Sequence, residues 1–259
     1  MIRNLQELYR YRALLWSLTQ RELKARYRGS VLGFFWTFLN PALLMLVYAL
    51  VFSVYMRQKI PNYPYFMFVG LLPWIWFSTS IGAGASTISD RRDLLTKVRF
   101  PAQVLPATVV ATNLVNFLLS VPLMLALGAF VGVWPTIHLV VFPLIVAIQL
   151  LFILALAYII SALNVVFRDL QHIVGNLLTL WFFLTPVLYT ASTIPERYRE
   201  LALWLNPMAI VINAYQAILY DHQWPDVSRL AFLGALALLL LAVAAELFES
   251  RREEFAELI

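Results

Sequence analysis

Uncharged, mostly apolar stretches alternate along the chain with short charged segments. The apolar stretches cover residues 29–56, 60–89, 100–167, 170–195, 201–220 and 230–245. A helix needs about 20 apolar residues to cross a bilayer, so the stretch 100–167 holds two crossings, separated by turn formers near Pro135. The pattern predicts six transmembrane helices, which cover residues 33–56, 66–88, 105–130, 139–163, 172–190 and 230–248.

Residues 193–226 depart from this pattern. Their apolar part is barely long enough to cross a membrane, and it contains Asn206, Pro207, Asn213 and Gln216. Irregular backbone at membrane depth is tolerated only against protein or a water-filled cavity. We therefore expect two short re-entrant helices before the last span, and such a pair would form an outer gate.

The charged residues orient the chain. Of its 19 Lys and Arg residues, fourteen fall on the side of the N-terminus in the six-span arrangement and five on the other side. Cytoplasmic loops carry the excess of Lys and Arg, so both termini are expected in the cytoplasm. With 62% hydrophobic and 13% charged residues and a mean hydropathy of +0.78, the chain is expected to be an all-α integral membrane protein. Its net charge of +5 therefore serves orientation, and no nucleic acid partner is expected.

Several kinds of chemistry are not indicated. The chain has no Cys, and its three His are too scattered to ligate a metal, so neither a metal nor a catalytic site is predicted. It has no G-x-x-x-x-G-K-[ST] phosphate loop, and no charged residue falls at the centre of a predicted span. We expect a chain that is not an enzyme, holds no cofactor and, if it transports, takes its energy from another polypeptide.

Residues 1–30 combine a basic stripe with an apolar face. On a helical wheel, Arg3, Arg10, Arg21, Lys24 and Arg28 fall within about 60° of one another, and Arg26 intrudes on the apolar face. This pattern is typical of a helix that lies in the membrane interface beside anionic headgroups. A soluble amphipathic helix that follows the positive-inside rule fits it equally well. A bend is expected at Gly29 and Ser30, where the basic segment meets the first span.

Two loops on the side of the N-terminus carry further charges. Residues 89–106 predict a short capped helix, with Ser89 as its N-cap, acidic residues in its first turn, and Lys97 and Arg99 near its end. The second loop, residues 164–172, contains Arg168 and Asp169. Such loops either dock a partner protein or only fix the topology, and spacing alone leaves both open.

Aromatic residues cluster inside two predicted spans, in LLPWIWF (71–77) and LWFFLTPVLY (180–189). Aromatic faces can hold amphipathic ligands such as sugars, because they pack against CH groups and leave hydroxyls in water. Helix packing and the interfacial aromatic belt are the alternatives.

A series of different short motifs extends along most of the chain. They are R-E-L-K-x-R-Y (21–27), S-x-L-G-x-x-W (30–36), G-L-L-P-W (70–74), L-x-x-K-V-x-F-P (94–101), N-V-x-F-R-D (164–169) and T-P-V-L-Y (185–189), followed by I-P (194–195) and N-P (206–207). Together they resemble the permease subunits of ABC type-2 exporters that move lipid-linked polysaccharides such as O-antigen, teichoic acid and capsule.

The resemblance implies a cytoplasmic interface helix (1–30), a six-span domain (31–259) and an outer gate (193–226). It implies a homodimer of permeases in a bacterial inner (plasma) membrane, joined to a dimer of separate ATPase subunits that bind ATP and magnesium. The implied contacts with the ATPase are Asp90, Arg91, Arg92, Asp93, Leu94, Lys97, Arg99, Arg168 and Asp169.

The remaining implied sites concern the substrate. An anionic headgroup would first meet the permease at Arg21, Lys24, Arg26 and Arg28. The channel or its gate would be lined by Trp74, Trp76, Phe77, Trp181, Phe182, Phe183, Tyr189, Asn206 and Tyr215. A permease for a smaller drug or lipid, and a membrane scaffold that transports nothing, remain as alternatives.

Overall fold

The computed structural model describes residues 9–91 and 101–250. Within these ranges the chain consists of helices and connecting turns and contains no strand. The α-helices are α1 (Arg12–Tyr27), α2 (Trp36–Ala49), α3 (Tyr63–Ser86), α4 (Val104–Phe130), α5 (Phe142–Val166), α6 (Leu170–Leu184), α7 (Glu196–Leu205), α8 (Pro207–Gln216) and α9 (Val227–Ser250). Short 3-10 or π segments extend α2, α5 and α8.

Five helical segments in the described ranges are long and apolar enough to cross a membrane. They are Gly33–Tyr55, Tyr63–Ser86, Val104–Phe130, Ile137–Val166 and Val227–Phe248. Each matches one of the spans predicted from the sequence to within three residues at either end. Continuous apolar length is the strongest local signal a membrane helix has, and these five predictions are confirmed.

The fifth predicted span, residues 172–190, is shorter than expected. The helix is Leu170–Leu184, and its 15 residues rise about 22 Å, less than the roughly 30 Å of a bilayer core. It ends because Thr185, which precedes Pro186, is extended, as residues before proline usually are. The irregular backbone that follows is buried against protein and takes hydrogen bonds from other helices: Tyr63 donates to the Leu188 carbonyl and Gln216 to that of Pro186.

The helices on either side of Asn206 meet at a sharp angle. Glu196–Leu205 and Pro207–Asp221 are inclined by 102° to each other. Asn206 is extended and its side chain accepts a hydrogen bond from the Ala209 N–H, so it caps α8 just before Pro207 at the first helical position. This pair, which we call the broken helix pair, forms a break at the Asn206-Pro207 position singled out in the sequence. Its re-entrant topology stays a prediction.

Helix α3 is the centre of the bundle. It contacts α2, α4, α5, α6 and α8, and 72% of its most apolar stretch is buried, against 17% for Gly33–Tyr55. Helix α9 packs along α5. The first span therefore lies at the periphery and presents apolar side chains outward.

The N-terminal helix α1 packs on α4 and ends at Tyr27. Gly29 and Gly33 then adopt left-handed backbone angles, with φ of +78° and +47°, which a residue with a Cβ rarely adopts. The change of direction therefore falls where the sequence predicted it. The location of α1 in a membrane interface remains a prediction.

Candidate functional site

The first loop on the side of the N-terminus begins at a charged junction between three helices. Residues Ser89–Arg91 form a 3-10 turn just after α3. Arg91 forms an ion pair with Glu22 on α1, and Glu22 accepts a hydrogen bond of 3.0 Å from the Thr112 hydroxyl on α4. We call this three-helix contact the charged junction. It ties the start of the loop to α1 and α4 at the same carboxylate.

The electrostatics of the charged junction depend on the Glu22 carboxylate. The Arg91 and Glu22 side chains are both about three-quarters buried. Burial, and after it the nearby Arg21 cation, lower the pKa of the Arg91 guanidinium. Glu22 supplies the opposite charge, so its removal would leave a partly buried cation beside a second cation.

The other residues expected to contact an ATPase are placed as follows. Asp90 is exposed and accepts a hydrogen bond of 2.6 Å from the Ser86 hydroxyl. Arg168 and Asp169 are exposed in the turn between α5 and α6. Near that turn, the Asn164 side chain accepts from the Gln171 N–H at the start of α6. The remaining residues lie outside the described ranges: Arg92, Asp93, Leu94, Lys97 and Arg99.

The basic residues of the N-terminal segment are all exposed: Arg21, Lys24, Arg26 and Arg28. Arg26 reaches back to the bundle, and its two terminal nitrogens lie 3.5 and 3.4 Å from the Asn113 amide oxygen on α4. It is therefore connected to the interior as well as to the surface.

The aromatic residues proposed for a channel divide into two groups within the single chain. Five are buried and pack mainly against other rings of the core: Trp74, Trp76, Phe77, Phe182 and Tyr215. Trp181 and Tyr189 are half-buried, and Phe183 is exposed. The rings thus serve helix packing in this chain, and their role in a channel stays a prediction.

The far end of the bundle is held by Asn206, which joins α6 to the broken helix pair. Its amide oxygen accepts from Trp181 Nε1 at 2.7 Å and from the Ala209 N–H at 3.1 Å. Its amide nitrogen donates to the Leu184 carbonyl and to the Thr185 hydroxyl. The amide therefore provides hydrogen bonds both to a backbone carbonyl at the end of α6 and to a backbone N–H at the start of α8.

A second set of buried hydrogen bonds anchors α8 to the core. Tyr215 donates to the Gln149 amide oxygen on α5 at 3.1 Å. Gln149 in turn donates to the carbonyl of Pro73 in α3 at 2.9 Å. The Tyr65 hydroxyl donates to the Leu219 carbonyl, and its ring lies against Gly128. Helix α8, the second helix of the broken helix pair, is therefore held by neutral groups that are shielded from water.

Arg229 connects α7 to the start of α9. It donates to Glu200 at 2.8 Å, lies 3.3 Å from a carboxylate oxygen of Asp226, and sits over the Trp204 ring. Arg229 and Asp226 border a cavity of about 410 Å³ whose lining also includes Asn213. The sequence did not single out three residues that make these contacts: Glu22, Gln149 and Asn113. The only signal that could have indicated them was a polar residue in or beside an apolar helix.

Apolar length, a buried central helix and polar contacts confined to the ends and to a few buried bridges define a multi-pass α-helical membrane protein. Among the described residues, no group of three His, Asp or Glu side chains is arranged to hold a metal ion. The chain belongs to the ABC-2 type transporter family, whose model matches residues 13–220.

Relatives align along nearly the whole chain. The chain is 68% identical to the O-antigen export system permease protein RfbA of Myxococcus xanthus, over the full length of both. It is 32% identical to a protein of the same name from Klebsiella pneumoniae, over 95% of each chain. It is 23% identical to the polysialic acid transport protein KpsM of Escherichia coli, over 92% of this chain and 93% of that one. The similarity therefore includes both ends of the helical bundle.

Proposed function

We propose that the chain is the transmembrane permease subunit of an ATP-driven exporter, which moves a lipid-linked polysaccharide of the O-antigen, capsule or teichoic-acid type out of the cytoplasm across a bacterial inner membrane. The observation that carries this proposal is the 68% identity, over the full length of both chains, to an O-antigen export permease. The alignment with a polysialic acid transporter supports polysaccharide as the substrate class.

In this proposal the working unit contains two copies of the chain and two ATPase subunits. The family membership supports an ATPase partner, and the chain itself supplies no phosphate loop. A second copy is proposed because six spans are too few to enclose a channel as wide as a polysaccharide. ATP and magnesium would bind only in the partner subunits.

The ATPase would act on the loop 89–106 and on the turn that contains Arg168 and Asp169. The charged junction supports this assignment, because a force applied to the loop would reach α1 and α4 through the Glu22 and Arg91 ion pair. Both termini are proposed to lie in the cytoplasm, since fourteen of the 19 Lys and Arg residues fall on that side. The broken helix pair would then act as the outer gate.

A replacement experiment tests the proposed function. The chain is expressed in an M. xanthus strain that lacks its own O-antigen export permease, and surface O-antigen is measured by antibody binding to intact cells. We expect surface O-antigen to return when the native ATPase is present and to stay absent when it is deleted.

A variant in which residues 90–99 are replaced by Gly and Ser provides the control. It should insert into the membrane to the same level and leave the cell surface bare. Failure of the unaltered chain to restore export, although it is folded and bound to the ATPase, would contradict a polysaccharide substrate. Restored resistance to a small toxic compound without O-antigen export would favour a permease for smaller molecules.

A further inference from the structure

A cavity of about 760 Å³ opens between α1, α2, α3 and α4. Arg26 is among its lining residues, and the rest of the lining combines apolar side chains with amide, indole and hydroxyl groups. We call this cavity the slot and define it by Arg26, Asn40, Leu44, Trp76, Asn113 and Asn116. It lies on the peripheral side of the bundle, where the first span exposes most of its surface.

Several polar atoms of the slot are buried and have no hydrogen-bond partner among the residues that the structure describes. They are the indole nitrogen of Trp76, the amide nitrogen of Asn113 and both amide atoms of Asn116. Trp76 is 1% exposed and Asn113 is 4% exposed. Unpaired buried polar groups are rare in folded proteins because they lose their bonds to water without compensation. Their grouping along one cavity points to a ligand that supplies the missing bonds.

The unpaired atoms select the chemistry of that ligand. The orientation of the Asn113 amide follows from its contact with Arg26, since the oxygen accepts from the guanidinium and leaves the nitrogen as a free donor. Among the buried unpaired atoms of the slot, three are therefore nitrogen donors and one, the amide oxygen of Asn116, is an acceptor. The phosphate group of an ionised phosphate ester offers only acceptors and carries the negative charge that Arg26 attracts, whereas sugar hydroxyls donate as often as they accept.

The shape of the slot indicates that the ligand also has an apolar part. Its wall on the first span runs from Trp36 to Val47, a helical rise of about 16 Å. Leu43, Leu44 and Val47 are exposed along this wall. A hydrocarbon chain could lie against them while its polar end stays beside Arg26.

We propose that the slot binds one phosphate-bearing lipid, with the phosphate held by Arg26, Asn113 and Asn116 and the hydrocarbon chain along Leu44. Within the proposed function, on which this part rests, the ligand is the lipid carrier of the polysaccharide. An ordinary anionic phospholipid has the same chemistry and is the second possible source.

A labelling experiment tests the slot, because the chain has no Cys and a single one can be introduced. Leu44→Cys lies in the slot, and Leu46→Cys is an exposed control on the same helix that does not line it. The full chain is purified in dodecyl maltoside, which contains no phosphate, and the rate of maleimide labelling is measured. Polyprenyl phosphate, phosphatidylglycerol and polyprenol are added in separate arms.

Polyprenyl phosphate is expected to slow labelling of Leu44→Cys and to leave Leu46→Cys unchanged. Polyprenol, which has the same chain without phosphate, should give no protection. Protection by polyprenyl phosphate alone identifies the lipid carrier, and equal protection by phosphatidylglycerol identifies a general site for phosphate-bearing lipids. Both results support the slot.

Substitutions at the polar end refine the test. Asn116→Asp places an anion where the phosphate should bind, and Arg26→Gln removes the cation from an exposed side chain. Loss of one hydrogen bond to a charged group should raise the lipid concentration for half-protection about 10-fold or more. Arg197→Gln, the same change at an exposed residue on α7 outside the slot, is the matched control and should leave that concentration unchanged.

Three results would overturn the proposal. They are equal protection by polyprenol, no protection by any lipid, and a Leu44→Cys residue that is unreactive in detergent alone because it forms a disulfide with a second copy. Labelling needs neither ATP nor export, so the two proposals fail separately. Export of O-antigen without lipid protection of Leu44→Cys would contradict the lipid site. Protection without export would contradict the polysaccharide function.

Discussion

The two ends of the bundle are held together by different kinds of contact. At the end that carries α1, the charged junction joins Glu22 to Arg91, both about one-quarter exposed, and to the buried Thr112 hydroxyl. At the far end, the contacts that hold α8 are neutral hydrogen bonds, buried for Tyr215 and Gln149 and part-buried or exposed for Asn206. The Arg229–Glu200 ion pair at that end joins α7 to α9. An ionic contact near water can rearrange at low cost, whereas a buried neutral bond has no substitute when it breaks.

This difference fits a division of labour in the proposed exporter. The end that receives the ATPase would need contacts that adjust to each catalytic cycle. The end that keeps the outer gate closed would need contacts that resist opening until a large displacement arrives. The predictions below test this contrast, in order of decreasing expected effect.

The largest effect is expected from Asn206→Ala. It removes two acceptor contacts, one of which is the cap of α8, and two donor contacts, for a loss of about 2–4 kcal/mol of stability at the far end. The gate should then open without the ATPase, so proteoliposomes should leak a small fluorescent dye. Asn176→Ala, at an exposed position on α6, is the control and should stay tight. Equal leakage from both variants would show that the Asn206 contacts do not hold a gate.

Charge reversal at the junction should have the next largest effect. Glu22→Arg places a third cation beside Arg91 and Arg21, which should weaken the contact by about 1–3 kcal/mol. Polysaccharide exported per ATP hydrolysed should fall, while dye leakage at the far end stays unchanged.

The exchanged pair, Glu22→Arg with Arg91→Glu, provides the control for that variant. It restores opposite charges between α1 and the loop and should recover much of the export. Equal export by the single and exchanged variants would show that the ion pair carries no coupling.

Gly128→Ala should destabilise the far end by a smaller amount. A Cβ at this position would lie 2.7 Å from the Tyr65 ring, so the ring must shift and strain its hydrogen bond to Leu219, at a cost of about 1–2 kcal/mol. The melting temperature in detergent should fall. Gly82→Ala is the same change in another helix with nothing within 4 Å, and it should leave the melting temperature unchanged or raise it.

The smallest effect is expected from lowering the pH. The hydrogen bond from Ser228, followed by the Arg229 contacts, lowers the pKa of the exposed Asp226 carboxyl. Because the folded pKa is depressed, the stabilisation is present above the unfolded value of about 3.9 and is lost as the pH falls below it. The melting temperature should drop modestly over that range, and Asp226→Asn should flatten the drop. An identical pH profile in both proteins would exclude a contribution from the Asp226 carboxylate.

The sequence predicted the elements of the fold better than their contacts. Five spans were located because uninterrupted apolar length is a local property, and the break at Asn206-Pro207 because both residues disfavour a continuous helix. The end of α6 was placed too late, since the extended Thr185 before Pro186 was read as part of an apolar run. Pairings such as Glu22 with Arg91 join residues far apart in sequence, and no local pattern marks them.

The central claim is that an ATPase drives polysaccharide through this chain by way of the loop 89–106. The most direct test is the amount of lipid-linked polysaccharide translocated per ATP hydrolysed in proteoliposomes that contain the permease and its ATPase. We predict translocation that requires ATP and is abolished when residues 90–99 are replaced by Gly and Ser, while the ATPase stays bound. Undiminished translocation with the replaced loop, or without the ATPase, would contradict the account.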